Sequence, residues 1–293
     1  MSTQVDRPAV EVGVAAGAGG DRPTPRRTRG RRQHAALRIR HELPSGWRWA
    51  FAALGAASLL GLWVAAASVW STTSFPVPGP LTTVRAGIEL WSTEGLGTDL
   101  LASLRRVGVG YAISMAVGIV LGLAIGTFPA FQVYWEAPIG FLRYIPATAL
   151  TPLFLLWLGI DEAPKVALVV AGTVFYNILM VADVGRAVPA EMMASAYTLG
   201  AGRWTVLRKI VFPHALPGII DVARVNLASA WLMLVVAELL AARDGLAFQM
   251  QRAYRFRQVD TMFAILLVFA VIGVASDLTL RWIRNRTAPW ARP

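Results

Sequence analysis

Long apolar runs separated by short polar stretches organise this chain. A helix that crosses a bilayer needs about 20 mainly apolar residues. Runs approaching that length are Trp47–Trp70, Val107–Phe128, Ile139–Leu158, Val166–Val184, Ile219–Leu240 and Thr261–Ile283. Tryptophans near both ends of the first run stand where indole rings favour the membrane interface. The second run carries Gly108, Gly110, Gly118, Gly122 and Gly126, a spacing that lets neighbouring helices approach closely. Pro146 and Pro152 interrupt the third, and carbonyls freed by a broken helix are useful where they line a cavity. The pattern predicts an all-α, polytopic membrane protein with six transmembrane helices.

The polar stretches divide the rest. Residues 1–46 are rich in Arg, Pro, Gly and Ala and read as a disordered basic tail. Their basic region is too long, and the apolar run after them too extended, for a cleaved secretory signal, so 47–74 is expected to hold an uncleaved first span. Phe75-Pro-Val-Pro-Gly-Pro80 excludes helix through its three prolines. Residues 81–102, with Glu89, Glu94 and Asp99, read as an amphipathic, water-facing connection. The core runs over 75–283, and 284–293 form a short basic tail.

Charge changes the picture in one respect. Apolar residues make up 56% and charged residues 15%, against roughly 45–50% and 25% in soluble domains. A net charge of +11 invites a nucleic-acid reading, but ten of the 28 basic residues lie within the first 48 positions. A basic flank beside an apolar span is what the positive-inside bias places on the cytoplasmic face, next to lipid headgroups. Nucleic acid is therefore not an expected partner. With both termini inside, 18 basic residues fall on the cytoplasmic side, eight outside, and Arg143 and Arg224 within spans. Without the N-terminal block the two sides are even, so that block sets the orientation. The chain has no cysteine, and His34, His41 and His214 are scattered, so no catalytic or metal-binding residue is assigned. No Gly-x-x-x-x-Gly-Lys-Ser/Thr phosphate loop occurs, so no cofactor is expected in this chain.

The loop 186–217 includes Glu191-Met-Met-Ala194-Ser-Ala-Tyr-Thr-Leu199-Gly200-Ala201-Gly-Arg203-Trp204-Thr-Val-Leu-Arg-Lys-Ile210-Val-Phe-Pro213. Pro189 and Glu191 suit a helix start, and Met193, Ala196, Tyr197 and Gly200 share one face at helical spacing. Gly200 and Gly202 permit a sharp turn, and Pro213 and Pro217 are expected to stop a second short helix. This stretch resembles the cytoplasmic loop of bacterial ABC-importer permeases. The family pattern is Glu-Ala-Ala, three residues, Gly, nine residues, an aliphatic residue, one residue and Leu-Pro. Glu191, Met192 and Met193 are set against its opening triplet, Gly200 against its glycine, and Ile210, Phe212 and Pro213 against its close. Phe75 to Pro80, Leu142 to Pro146 with Thr151-Pro152, Trp157 to Ile160, and Ala223 to Glu238 look like permeases for sulfonates, taurine, nitrate and related small anions.

The resemblance implies a permease subunit of a binding-protein-dependent importer in the bacterial inner membrane. It would move a small solute, an anion such as a sulfonate, taurine or nitrate. Its implied partners are a second permease copy, two ATP-binding subunits carrying ATP and magnesium, an external substrate-binding protein and membrane lipid. Glu191, Ala194, Leu199, Gly200, Ala201, Arg203, Trp204, Ile210 and Pro213 would couple it to the ATPase. The alternative, an ion-coupled secondary transporter, would show inverted repeats, which are not evident.

Polar groups inside apolar runs tend to face other helices or a water path, and Arg143, Pro146, Asn177, Asn226, Trp231 and Glu238 are the candidates for a translocation path. Arg143 and Arg224 are expected near the cytoplasmic ends of their spans, where arginine either snorkels or lines a path. Glu238, near the outer end of its span, is expected to pair with Arg243 or Arg252. Those two and Arg255 and Arg257 make 241–260 basic, either a vestibule for an anion or a docking surface.

Overall fold

A computed structural model describes residues 44–70, 76–93 and 95–291, and every regular element among them is helical. The basic tail falls, up to residue 43, outside the described residues, as do 71–75, Glu94 and 292–293. In chain order the elements are α1 (Ser45–Trp70), α2 (Pro80–Thr93), α3 (Leu96–Thr127) and α4 (Pro129–Leu142), then a 3-10 turn (Ala147–Leu150), α5 (Thr151–Leu158) and α6 (Glu162–Arg186). Next come α7 (Ala190–Thr198), α8 (Arg203–Val206), a π-helical turn (Leu207–Val211), α9 (Phe212–Ala241), α10 (Leu246–Arg255) and α11 (Val259–Thr287). The chain divides into two compact units, residues 1–57 and 58–293, and everything below concerns the second.

Among the described residues, five helices are long and apolar enough to cross a membrane. A sixth crossing is formed if α4 and the 147–158 segment, bent by 79°, count as one span.

Three boundaries differ from expectation, each for a physical reason. Helix α3 starts at Leu96 rather than Val107, and its polar first turns are buried, with Asp99, Ser103 and Arg106 among the buried residues. The stretch 81–102 is therefore not a water-facing connection throughout. Helix α2 also buries Thr83, Ala86 and Leu90, and Ala86 and Leu90 join a cluster with Ala264 and Ile265 of α11. The third crossing begins at Pro129 rather than Ile139, and the chain unwinds between Leu142 and Ala147. Pro146 caps the 3-10 turn, and Pro152 sits in the first turn of α5, where a missing N–H costs nothing.

The third difference concerns Pro213 and Pro217, which do not stop the second loop helix. Helical structure continues from Arg203 through Leu240 as one apolar segment. A π-helical turn precedes Pro213, with the Phe212 N–H bonded to Leu207 O. That wider turn lets a proline ring enter without striking the carbonyl four residues back.

Helices α3, α6 and α9 form the centre. Their main core joins Val107, Tyr111 and Met115 of α3 with Val169 and Val181 of α6 and Ile219, Ala230 and Leu234 of α9. Tyr111 donates its hydroxyl to Ala223 O at 2.7 Å. The α3–α6 approach is set by missing side chains. A Cβ added at Gly110 would lie 2.9 Å from Val169, at Gly118 2.8 Å from Asn177, and at Gly122 2.6 Å from Ile178 O. Gly126 meets the backbone of Ala182 and Gly185 in the same way, whereas Gly108 faces open space.

Replacing Gly122 by leucine should therefore force α3 off α6, with an overpacking cost of about 1–3 kcal/mol or more. Gly108→Leu should leave the fold intact. Thermal melting of the detergent-solubilised chain checks the contrast, and equal melting of the two variants would refute this packing.

Candidate functional site

Three polar assemblies stand out in the structure, the first at one end of the central bundle and the other two near its middle. The first lies where α3 and α6 begin and α9 ends. Arg106, 1% exposed, is its hub. Its guanidinium holds Glu162 through two bonds, Nε to Oε2 at 2.6 Å and Nη2 to Oε1 at 2.7 Å. It also donates to Glu238 Oε1 at 2.8 Å, to Asp244 O at 2.9 Å and to the Asp244 carboxylate. Lys165 Nζ pairs with Glu162 at 2.8 Å. Ser103 donates to Glu238 at 2.7 Å and accepts the Leu246 N–H, while the Ala247 N–H bonds the second Glu238 oxygen. Asp99 accepts from the Gly245 N–H and from Gln249 Nε2, both at 2.6 Å. Gly245 has φ +112°, and a Cβ there would strike the Glu238 carboxylate, so only glycine fits.

Glu238 is thus held by Arg106, not by Arg243 or Arg252 as the sequence led us to expect. Nothing local signalled this pairing, since the partners lie 132 residues apart. Arg106, counted from sequence as an outer flank, is instead the most heavily bonded side chain in the bundle. Arg243, Arg255 and Arg257 are exposed around this end.

The second assembly crosses the middle of the bundle. Asn226 Nδ2 donates to Asn177 Oδ1 at 2.8 Å, and Asn177 Nδ2 donates to Ser114 Oγ at 2.8 Å. The Thr173 hydroxyl lies 2.8 Å from both Ser114 Oγ and Val169 O. Two of the path candidates, Asn177 and Asn226, are therefore one hydrogen-bonded unit across α3, α6 and α9. Trp231 stacks edge-on against Phe269 at 6.1 Å, and its buried Nε1 has no partner among the described residues.

The third assembly is the broken crossing. Arg143 follows the last residue of α4, bonds the Tyr144 hydroxyl at 3.1 Å and lies 5.0 Å from the Tyr144 ring centroid. It stands at the break, capping the end of α4, and not near the start of the third crossing. Arg224 pairs with Asp221 and Asp277, each at 3.0 Å, tying α9 to α11. Asp183 pairs with Arg186 at 2.6 Å.

At the opposite end from Arg106, α7 and α8 project between α6 and α9. Glu191 stands in the first turn of α7, as expected. Helix α7 closes with paired backbone bonds, Ala201 N to Ala196 O and Gly200 N to Tyr197 O, both 3.0 Å. Gly200 at φ +81° is the left-handed residue that this cap requires. Counting back three residues from Gly200 sets the motif's opening triplet at Ala194-Ser195-Ala196. Glu191 is therefore a first-turn acid that complements the helix dipole and not the motif's glutamate. The methionine pair is likewise no departure from the motif. Met193 packs on the main core with Ala196, Ala201, Val206 and Ile210, while Met192 faces outward. Leu199 is 88% exposed and Trp204 61% exposed, with Tyr197 and Arg203 also on the surface. Among the described residues no cluster could hold a metal ion.

Arg106→Met should cost about 3–5 kcal/mol, because it strands the buried Glu238 carboxylate. Arg243→Gln, at an exposed site, should cost nothing measurable. Gly200→Ala should cost about 1–2 kcal/mol through the left-handed backbone. Melting temperatures of the purified chain test all three, and an unchanged value for Arg106→Met would sink the hub role.

The profile of a family described as "Binding-protein-dependent transport system inner membrane component" matches residues 114–289. The taurine transport system permease protein TauC of Escherichia coli is 31% identical over 256 residues, covering 83% of this chain and 93% of TauC. A permease of Bacillus subtilis assigned to aliphatic sulfonates transport is 29% identical over 242 residues, covering 83% of this chain and 88% of that protein. A bacterial ABC transporter involved in import of the acidic polysaccharide alginate shares the fold, with a TM-score of 0.58 at 15% identity over 78% of this chain and 89% of that one. The chain belongs to the binding-protein-dependent transport system inner membrane components, and it is a permease of an ABC importer.

Proposed function

We propose that this permease works as one of a pair of identical chains in the bacterial inner membrane, with both termini cytoplasmic. Two separate ATPase subunits, carrying ATP and magnesium, drive it. An external binding protein delivers the solute, a small anion such as a sulfonate, taurine or nitrate. The observation that carries this reading is the loop tip. A glycine-capped turn holds Leu199, Trp204, Tyr197 and Arg203 outward at the end of the bundle opposite the Arg106 hub. Large apolar side chains displayed on a rigid polar loop mark a contact surface for another protein. Ala194 is exposed beside them, and the half-buried Ala201, Ile210 and Pro213 support that surface from beneath.

Movement of the loop reaches the membrane through α8, the π-helical turn and α9 without a break. The path runs beside the Ser114–Asn177–Asn226 unit, the free Trp231 Nε1 and the unwound segment before Pro146. The exposed arginines near α10 form a positive mouth that draws anions in.

Two measurements test this. The solubilised chain should co-purify with an ATPase subunit, and Gly200→Trp should abolish solute uptake while the chain still reaches the membrane. Absence of any ATPase together with normal uptake by Gly200→Trp would leave the secondary-transporter reading standing instead. Because the chain has no cysteine, single cysteines report sidedness cleanly. A membrane-impermeant maleimide should label Arg255→Cys from outside and Lys209→Cys only after permeabilisation; the reverse order would refute the orientation.

A further inference from the structure

We infer that Arg143 is an anion-binding residue at the mid-depth of the membrane, taking a sulfonate or similar oxyanion through its guanidinium as the solute passes. This rests on the permease reading above and adds a contact for the cargo.

Depth is the first support. Tyr176 donates its hydroxyl to Arg143 O at 3.4 Å, and a Cβ at Gly172 would lie 3.5 Å from the Ala147 Cβ. The break in the third crossing therefore packs on the 172–176 stretch of α6, a helix running from Glu162 to Arg186. At 1.5 Å per residue these contacts stand roughly 15–21 Å from either end of α6. That is near the centre of a hydrocarbon core about 30 Å thick, beyond snorkelling reach of either interface. Unwound backbone at this depth survives only where protein covers it or water reaches it. Tyr144, 74% exposed, and Pro146 lie open in the single chain, so this face meets a second copy or a water-filled path and not lipid.

Charge is the second support. Arg106 and Arg224 pair with carboxylates within the bundle, and Arg186, at the exposed end of α6, pairs with Glu136 and Asp183. Arg143 has no acidic partner among the described residues. Its contacts are the hydroxyl and ring of Tyr144. Nor can a second copy of the chain readily supply one. Of the acids in the crossing helices, Glu136, Glu162, Asp183, Asp221, Asp277 and Glu238 are already paired with Arg186, Arg106 or Arg224. Asp99 accepts from Gly245 and Gln249, and Asp260 stands in the first turn of α11, far from this depth. A lone cation is costly at this depth, and an anion beside it offsets the charge. The guanidinium fork presents two parallel donors that match two oxygens of a sulfonate. The Tyr144 hydroxyl accepts from Arg143 Nη2 and keeps its own proton for a third oxygen.

The test uses the purified permease–ATPase complex, with ethanesulfonate as probe and neutral ethyl methyl sulfone as control, read by titration calorimetry. The wild-type complex should bind the sulfonate and not the sulfone. Arg143→Gln should weaken sulfonate binding by about tenfold or more, the scale of a charged hydrogen bond. Arg143→Lys keeps the charge but loses the fork, so it should assemble and still lose about tenfold. Should Arg143→Gln not assemble, Arg143→Lys alone decides. Wild-type affinity in Arg143→Lys, or equal binding of sulfonate and sulfone, or no sulfonate binding by the wild-type complex, overturns the inference. ATPase co-purification and the Gly200→Trp uptake assay read the permease function separately, so failure of one is distinguishable from failure of the other.

Discussion

Lipid removes the ordinary reason for helices to pack. A leucine gains little by leaving lipid tails for a protein interior, so association rests on close contact and polar bonds. The backbone-close approach of α3 and α6 at Gly110, Gly118, Gly122 and Gly126 meets that constraint. The rest of the centre depends on it. Ser114 reaches Thr173 and Asn177 with a short hydroxyl only because the two helices nearly touch at Gly118. Arg106 forms two bonds to Glu162, at the start of α6, only because the same ridge of α3 leans on Val169 at Gly110. Glycine contacts set the separation, and short polar side chains then fix the register.

The polar anchors differ in kind with depth. At the end where α3 begins, full charges are used, and each buried carboxylate oxygen of Glu238 and Asp99 has a donor. A buried ion pair is not by itself a source of stability, since desolvation offsets much of its attraction. What this cluster does is specify: it fixes α3, α6, α9 and the turn before α10 in one arrangement, because any other leaves a buried charge alone. In the middle of the bundle, where separating charges would cost most, α3, α6 and α9 are joined by neutral amides and hydroxyls, and Arg224 beside them has its charge matched by Asp221 and Asp277. Arg143 lacks such a match among the described residues.

Much of this was legible in the sequence because it follows from local rules. Apolar run length located the crossings, glycine spacing located the tight interface, and Gly200 required its left-handed turn. Other features were not legible, for reasons specific to each residue. Asp99 and Arg106 read as solvent-facing because charge usually means water; their partners lie 56 to 150 residues away in sequence. Pro213 and Pro217 read as helix stops because that rule assumes a regular α-helix, and the π-helical turn at 207–211 relaxes it. Arg143 read as an interfacial residue because a span starting at Ile139 would have put it near the start of the crossing; moving the start to Pro129 puts it at the break.

The two ends of the molecule are joined by unlike connectors. From Arg203 to Leu240 the chain is one helical segment of 38 residues, about 57 Å at 1.5 Å per residue. It links Trp204, on the proposed ATPase face, to Glu238 in the Arg106 hub. A packed helix transmits a push as a rigid body, so displacement at the loop arrives at the hub as a displacement and is not lost in between. The third crossing is the opposite: two short helices meeting at 79° through an unwound segment, free to change that angle by a few backbone torsions. Under the proposed coupling, the stiff connector carries the stroke and the bent one absorbs it. Arg143 stands at the bend, where a change of angle would turn its guanidinium from one side of the membrane toward the other.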